Sequence, residues 1–407
     1  MPSLPSFLRD LRRPVLVVMV VAPVGLLAVW FLNRDAYLGL AVGLALVLVI
    51  AGLVLAVLQW RHGYRRFAAI VTALSVLVAG SVSAYLWTLN DALGDITQIA
   101  TPFENDDEGR PEKPPNTSLN ILLMGADDPE QLVDKPTVAE LLEDGAWNPG
   151  AYRSDTLMVV HVPADRKAAY LVSIPRDSFV PIYDQDGEEH GEAKINEAFS
   201  QYGPFGTWRT VEELSGLHID HMAIIDFNGF RELTSAIGGV DVYIPEDVYD
   251  SKQDQEWKQG EVHLEGVLAL KYVRMRYGLT QGDFDRVDRQ QNFLRAVMKK
   301  MLSKETVGSV TRFPATLRAI TGHLTTDDWP KNEIRRLAFG LRGLDGDKVR
   351  FVTLPNSGTA TDPAAGSIVV VDERRAKVLF DAMESDRVGA YLRRNPDDEL
   401  PDEDEVS

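Results

Sequence analysis

The sequence predicts an α/β or α+β sandwich built around a mixed sheet and preceded by three membrane-spanning helices. Three observations carry this. From residue 118 onward, short apolar runs closed by turn residues alternate with helical stretches. Some of the connections are hairpin-short, which places antiparallel neighbours in the sheet. Ahead of them stand three uninterrupted apolar runs, each about 20 residues and long enough to span a bilayer as a helix.

Those runs are Pro14 to Leu32, Tyr37 to Leu58 and Phe67 to Trp87, and none contains an internal charge. Arginines concentrate on two of the flanks: Arg9, Arg12 and Arg13 before the first run, Arg61, Arg65 and Arg66 before the third. The connection between the first two runs balances Arg34 with Asp35. The positive-inside rule puts both arginine-rich pieces in the cytoplasm, so a chain with three spans leaves everything after Trp87 outside. A cleaved signal peptide is the alternative for the first run, but two further runs follow it and no small-residue cleavage site precedes them. The expected location is the cell membrane, with a cytoplasmic N-terminus and an extracellular C-terminal domain.

Residues 1–89 are thus the expected membrane region. Residues 90–117, rich in proline and acids in their second half (TPFENDDEGRPEKPPNT), read as a tether. Residues 118–390 form one domain, and 391–407, with seven acids from Asp397 to Glu405, read as an acidic disordered tail.

Within the domain, Leu119 to Met124 (LNILLM) is a buried strand closed by Gly125. Thr156 to Val162 and Ala168 to Ile174 are strands joined by the turn Pro163-Ala164-Asp165-Arg166. Asn196 to Tyr202 and Trp208 to Leu217 are helical, and His221 to Asp226 is a strand. Asn228 to Ile237 is a helix with Asn228 as N-cap, stopped by Gly238-Gly239. Val240 to Ile244 is a strand; Leu264 to Tyr272 and Val287 to Leu302 are helices. Lys348 to Leu354 and Ser367 to Val371 are late strands before a closing helix from Glu373 to Met383.

Several chemistries are excluded early. There is no cysteine, hence no disulfide, thiolate nucleophile or cysteine-based metal site. No glycine-rich phosphate loop, HExxH, GxSxG or paired-histidine pattern occurs, and Ser173 lacks the glycines of a nucleophile elbow.

Polar residues collect instead at strand ends: Gly125-Ala126-Asp127-Asp128, Arg153-Ser154-Asp155 and Pro175-Arg176-Asp177. Loops at strand ends are the usual place for a ligand in α/β sheets. Asp127 and Asp155 have the hard oxygen donors that suit Mg²⁺, which takes a few carboxylates plus phosphate oxygens. Taken singly, each is more readily a turn or cap residue, a common job for aspartate.

The chain carries a formal charge of −18, yet Lys271, Arg274, Arg276, Arg286 and Arg289 crowd into the stretch Val262 to Gln291. A solvated, salt-bridged helix face is one explanation. A local anion site is the other, because guanidinium forks match phosphate and carboxylate oxygens. If Val273 to Tyr277 runs extended, Arg274 and Arg276 fall on one side. Arg286 and Gln290 are four apart on one helix and share a face, with Arg286 near the helix N-terminus. Such a set suits two phosphates better than one, with Lys194 of KINEAF a further candidate. Lys271 and Arg289 are expected to face away.

These segments together resemble the LytR-CpsA-Psr family of bacterial cell-wall proteins. The matching pieces stand in family order: NILLMGAD, RSDTLMVVHV, LVSIPRDSFV, KINEAF, GGVDVYIP, LALKYVRMRY and GDFDRVDRQQNFL, with a late TLP at Thr353 to Pro355. The resemblance implies an α/β/α sandwich around a mixed sheet, with a lipid chain in an apolar pocket. It implies a phosphotransferase that moves a glycopolymer from a polyprenyl-pyrophosphate carrier onto peptidoglycan through a phosphodiester. By the family pattern Asp127 and Asp155 would bind Mg²⁺. Arg176, Arg274, Arg276, Arg286 and Gln290 would hold the pyrophosphate, with Lys194 at the margin and Asp283 orienting arginines. Among these, Asp127, Asp155, Arg176 and Arg274 would carry catalysis, and no nucleic-acid partner is expected.

The chain departs from the common pattern in places. DPEQ follows Asp127 where many relatives soon carry an arginine. Asp128 to Tyr152 is long for a connection, with a small helix expected over Pro136 to Asp144. Two other activities fit the same residues: a non-catalytic polyprenyl-pyrophosphate-binding wall regulator, and a lipid pyrophosphatase.

Overall fold

The computed structural model divides into two compact units, residues 1–92 with 335–340, and residues 93–334 with 341–407. It describes residues 96–103, 109–127, 147, 149–150, 152–275, 283–307, 309, 311–341, 344 and 346–401, with Val138, Leu142 and scattered helical positions between 70 and 92. The runs Pro14 to Leu32 and Tyr37 to Leu58, and most of Phe67 to Trp87, lie outside the described residues. Among the described residues no helix is long and apolar enough to cross a membrane.

The second unit is a mixed α/β fold. Its strands are β1 (Thr97–Gln98), β2 (Leu119–Asp127), β3 (Arg153–Val162), β4 (Ala169–Ser173), β5 (Phe179–Tyr183), β6 (Glu189–Lys194), β7 (His221–Asp226), β8 (Val240–Ile244), β9 (Val248–Asp250), β10 (Gln255–Trp257), β11 (Gly260–Leu264), β12 (Leu324–Thr326), β13 (Val349–Thr353), β14 (Asn356–Asp362) and β15 (Gly366–Val371). Among the described residues of both units the principal helices are α1 (Asn196–Ser215), α2 (Phe227–Ala236), α3 (Gly266–Val273), α4 (Asp283–Leu302), α5 (Lys304–Val307), α6 (Arg312–Thr321), α7 (Lys331–Leu341), α8 (Glu373–Glu384) and α9 (Val388–Leu392).

Seven strands make the central sheet in the order β1-β12-β7-β2-β3-β4-β13. β2 runs parallel to β7 and antiparallel to β3, which pairs antiparallel with β4; β4 runs parallel to β13. The sheet is therefore mixed, because the β2–β3 and β3–β4 links return directly while the β4–β13 link crosses over through helices.

Period-two alternation sorts the strand residues onto two faces. Leu122, Met124, Val159 and Val172 pack with Phe199, Trp208 and Val211 of α1 and Leu379, Phe380 and Met383 of α8. Met158, Leu171 and Phe351 turn the other way and meet Leu294 and Met298 of α4. Fully buried side chains such as Leu122 and Met124 each contribute about 1.5–3 kcal/mol by leaving water. A further apolar cluster joins Val240, Val242 and Ile244 of β8 with Leu264, Tyr272, Val273 and Phe293.

Several expectations need correction. The two helices expected at Asn196 to Tyr202 and Trp208 to Leu217 form one element, broken at Gly203 (φ 74°, ψ −169°) with Pro204 starting the second half earlier than expected. α2 begins at Phe227, so Asn228 lies inside the first turn and Asp226 takes the position before it. The expected tether is folded in part. β1 joins the sheet edge beside β12, Ile96 and Ile99 are buried, and Phe103 stacks edge-on with Phe205 and Trp208. Arg110 makes a buried ion pair with Glu212 of α1 at 2.8 Å, its guanidinium lying over the Phe103 and Trp208 rings. Composition pointed to solvation because the few residues that bury here are scattered among prolines and acids.

The expected acidic tail is also folded as far as Leu400. Tyr391 and Leu392 are buried in α9, and Asp398 accepts from Arg375 and Tyr391. Glu399 bridges to Val352 and pairs with Arg350, and the Leu400 N–H donates to Phe351 O at 3.0 Å. These acids satisfy internal cations rather than solubilising a loose end. Residues 402–407 lie outside the described residues.

Candidate functional site

The strand directions bring one end of the sheet into focus. The carboxyl ends of β2, β7, β4 and β13 and the amino end of β3 all lie there, because β2 is parallel to β7, β4 is parallel to β13, and β3 is antiparallel to both β2 and β4. Asp127 closes β2. Asp226, not singled out from the sequence, closes β7 in register with Ala126. Arg176 follows β4 by three residues.

Asp155 occupies a special place. β2 pairs Gly125 with Thr156 but Ala126 with Ser154, so Asp155 is the extra residue of a bulge on β3. Arg153-Ser154-Asp155, expected just before the strand, is part of it. The buried Ser154 hydroxyl donates to the Thr156 carbonyl at 2.9 Å and closes the backbone around Asp155. Gly125 sits opposite, where an added Cβ would come within 3.1 Å of Thr156 Cβ. Bulges of this kind re-aim one residue at the rim of a sheet.

The Pro175–Ser178 turn is held from two sides. The Ser178 N–H donates to Pro175 O, while Ile195 N–H and Asn196 N–H donate to Ser178 O and Arg176 O. On the other flank the Val369 N–H of β15 donates to Asp177 O at 2.8 Å. Lys194 ends β6 in register with Phe179. Its Nζ lies 3.5 Å from Asp177 Oδ1, and Arg176 Nε lies 3.6 Å from the same oxygen. Sequence reasoning placed Asp177 in a polar cluster without making it a site residue. The β5–β6 hairpin that brings Lys194 to it was missed, because EHGEAK is polar on both faces.

Arg274 departs from its expected geometry. It is not extended: it caps α3 with φ −96° and ψ 0°, and its N–H donates to Leu270 O at 3.1 Å. The hydrophobic residues of LALKYV keep the helix running to Val273, one residue past the expected end. Gln290 stands beside it, its Nε2 donating to the Val273 carbonyl at 3.1 Å. The next residue, Gln291, donates to Thr353 Oγ1 at 2.9 Å, which fastens α4 to the carboxyl end of β13. The α3 terminus that carries Arg274 is thereby tied to the sheet end that carries Arg176.

α4 starts at Asp283, four residues earlier than expected, so Asp283 and Arg286 lie in its first turn. Arg276 lies outside the described residues. Arg289 is buried, with Nη1 2.9 Å from Met275 Sδ and its guanidinium 6.0 Å from the Tyr272 ring centroid. Burial pushes the Tyr272 hydroxyl above its ordinary pKa. Lys271 donates to Gln255 Oε1 at 3.1 Å.

Of the Asp128 to Tyr152 segment, Val138 and Leu142 are helical and pack into the core, within the expected helix over Pro136 to Asp144, whose other residues lie outside the described residues. Trp147 Nε1 donates to Ser200 O at 3.1 Å and the ring meets Phe199 edge-on at 5.4 Å. Among the described residues, a group of metal-capable side chains within reach of one another occurs away from this sheet end, at Asp184, Glu188 and His190 on the β5–β6 turn.

Acidic and basic residues thus occupy strand ends at one end of a mixed sheet, and comparison with known proteins identifies the family. Residues 95–385 match the LytR_cpsA_psr family, and the chain belongs to that family. It is 30% identical over 349 residues to the cell wall biosynthesis protein LcpA of Corynebacterium glutamicum, covering 78% of this chain and 64% of that one. It is 37% identical over 178 residues to the polyisoprenyl-teichoic acid–peptidoglycan teichoic acid transferase TagV of Bacillus subtilis, covering 42% and 44%. The chain thus spans less than two thirds of the length of these curated relatives. The crystal structure of B. subtilis TagV superposes with a TM-score of 0.52 at 26% identity, over 66% of this chain and 97% of that one. An Actinomyces oris LytR-Csp2A-Psr enzyme gives a TM-score of 0.52 at 16% identity, over 71% and 96%, which speaks to the fold alone.

Proposed function

We propose that this protein is a cell-wall glycopolymer transferase, anchored in the membrane with its catalytic domain outside. It moves a glycopolymer from a polyprenyl-pyrophosphate carrier onto peptidoglycan and releases polyprenyl phosphate. The observation that carries the reading is the gathering of Asp127, Asp155 and Arg176 at one sheet end, with Arg274 tied to that end through Gln290 and Gln291, in a chain of this family.

The residues then have distinct tasks. Arg176 and Arg274, joined by Arg276 and Arg286, hold the pyrophosphate, with Lys194 beside them and Asp283 orienting the arginines. The acceptor hydroxyl oxygen attacks the phosphorus that bears the sugar, forming the new P–O bond. The bond from that phosphorus to the bridging oxygen breaks, and polyprenyl phosphate leaves with the oxygen. Guanidinium groups that meet the oxygens where charge gathers favour the transition state over the ground state. One of the aspartates takes the hydroxyl proton. Asp127 and Asp155 offer the hard oxygen donors that suit Mg²⁺, and the ends of β2 and β3 that carry these positions are paired neighbours in the sheet. When bound, such an ion would neutralise phosphate charge.

The test is to incubate the full-length protein with a polyprenyl-pyrophosphate-linked sugar, Mg²⁺ and a peptidoglycan acceptor. Polyprenyl phosphate should appear together with a phosphodiester-linked product. Release of polyprenyl phosphate without that product would identify a lipid pyrophosphatase instead. Binding without release would identify a wall regulator.

A further inference from the structure

Asp177 stands between two cations. Its Oδ1 lies 3.6 Å from Arg176 Nε and 3.5 Å from Lys194 Nζ, which keeps the two nitrogens within about 7 Å of each other. All three side chains are mostly withdrawn from water, at 17%, 15% and 21% exposure for Arg176, Asp177 and Lys194. Among the described residues Asp177 is the ion-pair partner of Lys194. The surrounding backbone is fixed independently of these charges, by Ile195 and Asn196 on one flank and Val369 of β15 on the other.

We propose that Asp177 is a positioning residue: its charge, set between Lys194 and Arg176 without a hydrogen bond to Oδ1 from either, holds the two cations together as a two-point clamp for the pyrophosphate. This rests on the reading above that the sheet end is a pyrophosphate site. The physical case follows from like charges on long side chains. Arginine and lysine have many rotamers, and two cations this close repel unless a shared counter-charge lies between them. Asp177 supplies that charge from a turn whose backbone cannot shift easily. It also opposes anion binding in the ground state, since it adds a negative charge beside the phosphates. A positioning role therefore has its own signature. Neutralising Asp177 should leave pyrophosphate binding as strong or stronger while turnover falls, because the clamp is no longer held where charge develops. A residue that only supports the fold would not separate the two quantities in this way.

The experiment uses the full-length protein in phospholipid nanodiscs. It measures kcat with the polyprenyl-pyrophosphate-linked sugar and, separately, the affinity for inorganic pyrophosphate with Mg²⁺. Asp177→Asn should lower kcat at least tenfold with pyrophosphate affinity unchanged or tighter. In a Lys194→Gln background the same change should cost much less, since one of the two cations it separates is gone. Equal costs in both backgrounds, or a pyrophosphate affinity that drops in step with kcat, would overturn the proposal. So would wild-type kcat in Asp177→Asn alongside an inactive Arg176→Ala, and in that case the pyrophosphate reading stands. Wild-type turnover in Arg176→Ala removes that reading, and the clamp with it. Should Asp177→Asn not fold, Asp177→Glu displaces the carboxylate by one methylene and is taken through the same comparison with Lys194→Gln.

Discussion

Gln290 donates its Nε2 proton to the carbonyl of Val273, at 3.1 Å, on the turn immediately before Arg274. One of its two N–H groups is thus committed to closing α3 rather than to a ligand. The bond satisfies a carbonyl that the helix end would otherwise leave without a partner. Gln290→Ala should therefore cost about 1 kcal/mol of stability and, by loosening Arg274, several-fold in turnover. Chemical denaturation and steady-state kinetics on the same preparation check both. Full activity with the stability loss alone would show that Arg274 does not depend on this tie.

Arg110 and Glu212 form a bidentate pair with side chains 5% and 0% exposed, and Glu212 also accepts from Ile219 N–H at 2.9 Å. Arg110→Ala strands a buried carboxylate and should destabilise the domain by about 3–5 kcal/mol. Replacing both partners, as Arg110→Met with Glu212→Met, should cost clearly less, because no charge is then left buried alone. Urea denaturation of the two variants decides this.

Leu400 lies at the far end of the chain with 7% of its surface exposed, in the cluster with Phe351 and Leu171. Leu400→Ala should destabilise by about 2–4 kcal/mol, as in any core. Asp398→Ala should add to this by removing the acceptor of Tyr391 and Arg375. A change of less than about 0.5 kcal/mol in thermal melts would return this stretch to the status of a tail.

Asp127→Ala and Asp155→Ala should each lower turnover by at least a hundredfold, and chelation of divalent cations should stop the wild-type reaction until Mg²⁺ is restored. Turnover measured across a Mg²⁺ titration tests this. Chelator-resistant activity would remove the ion from the reaction.

Much of the sheet was legible because apolar runs such as LNILLM and TLMVVHV have no other stable fate than a buried strand. The kink at Gly203-Pro204 was legible as a break for the same reason of local chemistry. What escaped depends on distance. Arg110 reads as one more charge in an acidic linker until Glu212, 102 residues away, is seen to receive it. Asp398 and Glu399 read as tail until Arg375, Tyr391 and Arg350 meet them. In the site, Asp127, Asp155 and Arg176 could be placed at strand ends from local pattern alone. Asp177 could not be tied to Lys194, since the pairing runs through a polar hairpin with no hydrophobic period. The extended geometry expected at Arg274 failed because α3 runs one residue further and ends in the αR region.

The bulge at Asp155 has an evolutionary consequence. A residue gained or lost in a plain strand would turn over every side chain beyond it, exchanging core for solvent. On β3 that half-step has already been taken, between Ser154 and Thr156. The strand from Thr156 onward keeps phase with the core, while Arg153 and Ser154 keep phase with the rim. The connection from Asp128 to Tyr152 joins β3 on the rim side of the bulge, so a change in its length would not by itself flip Leu157 and Val159 to the other face, even though Val138 and Tyr152 share their core cluster.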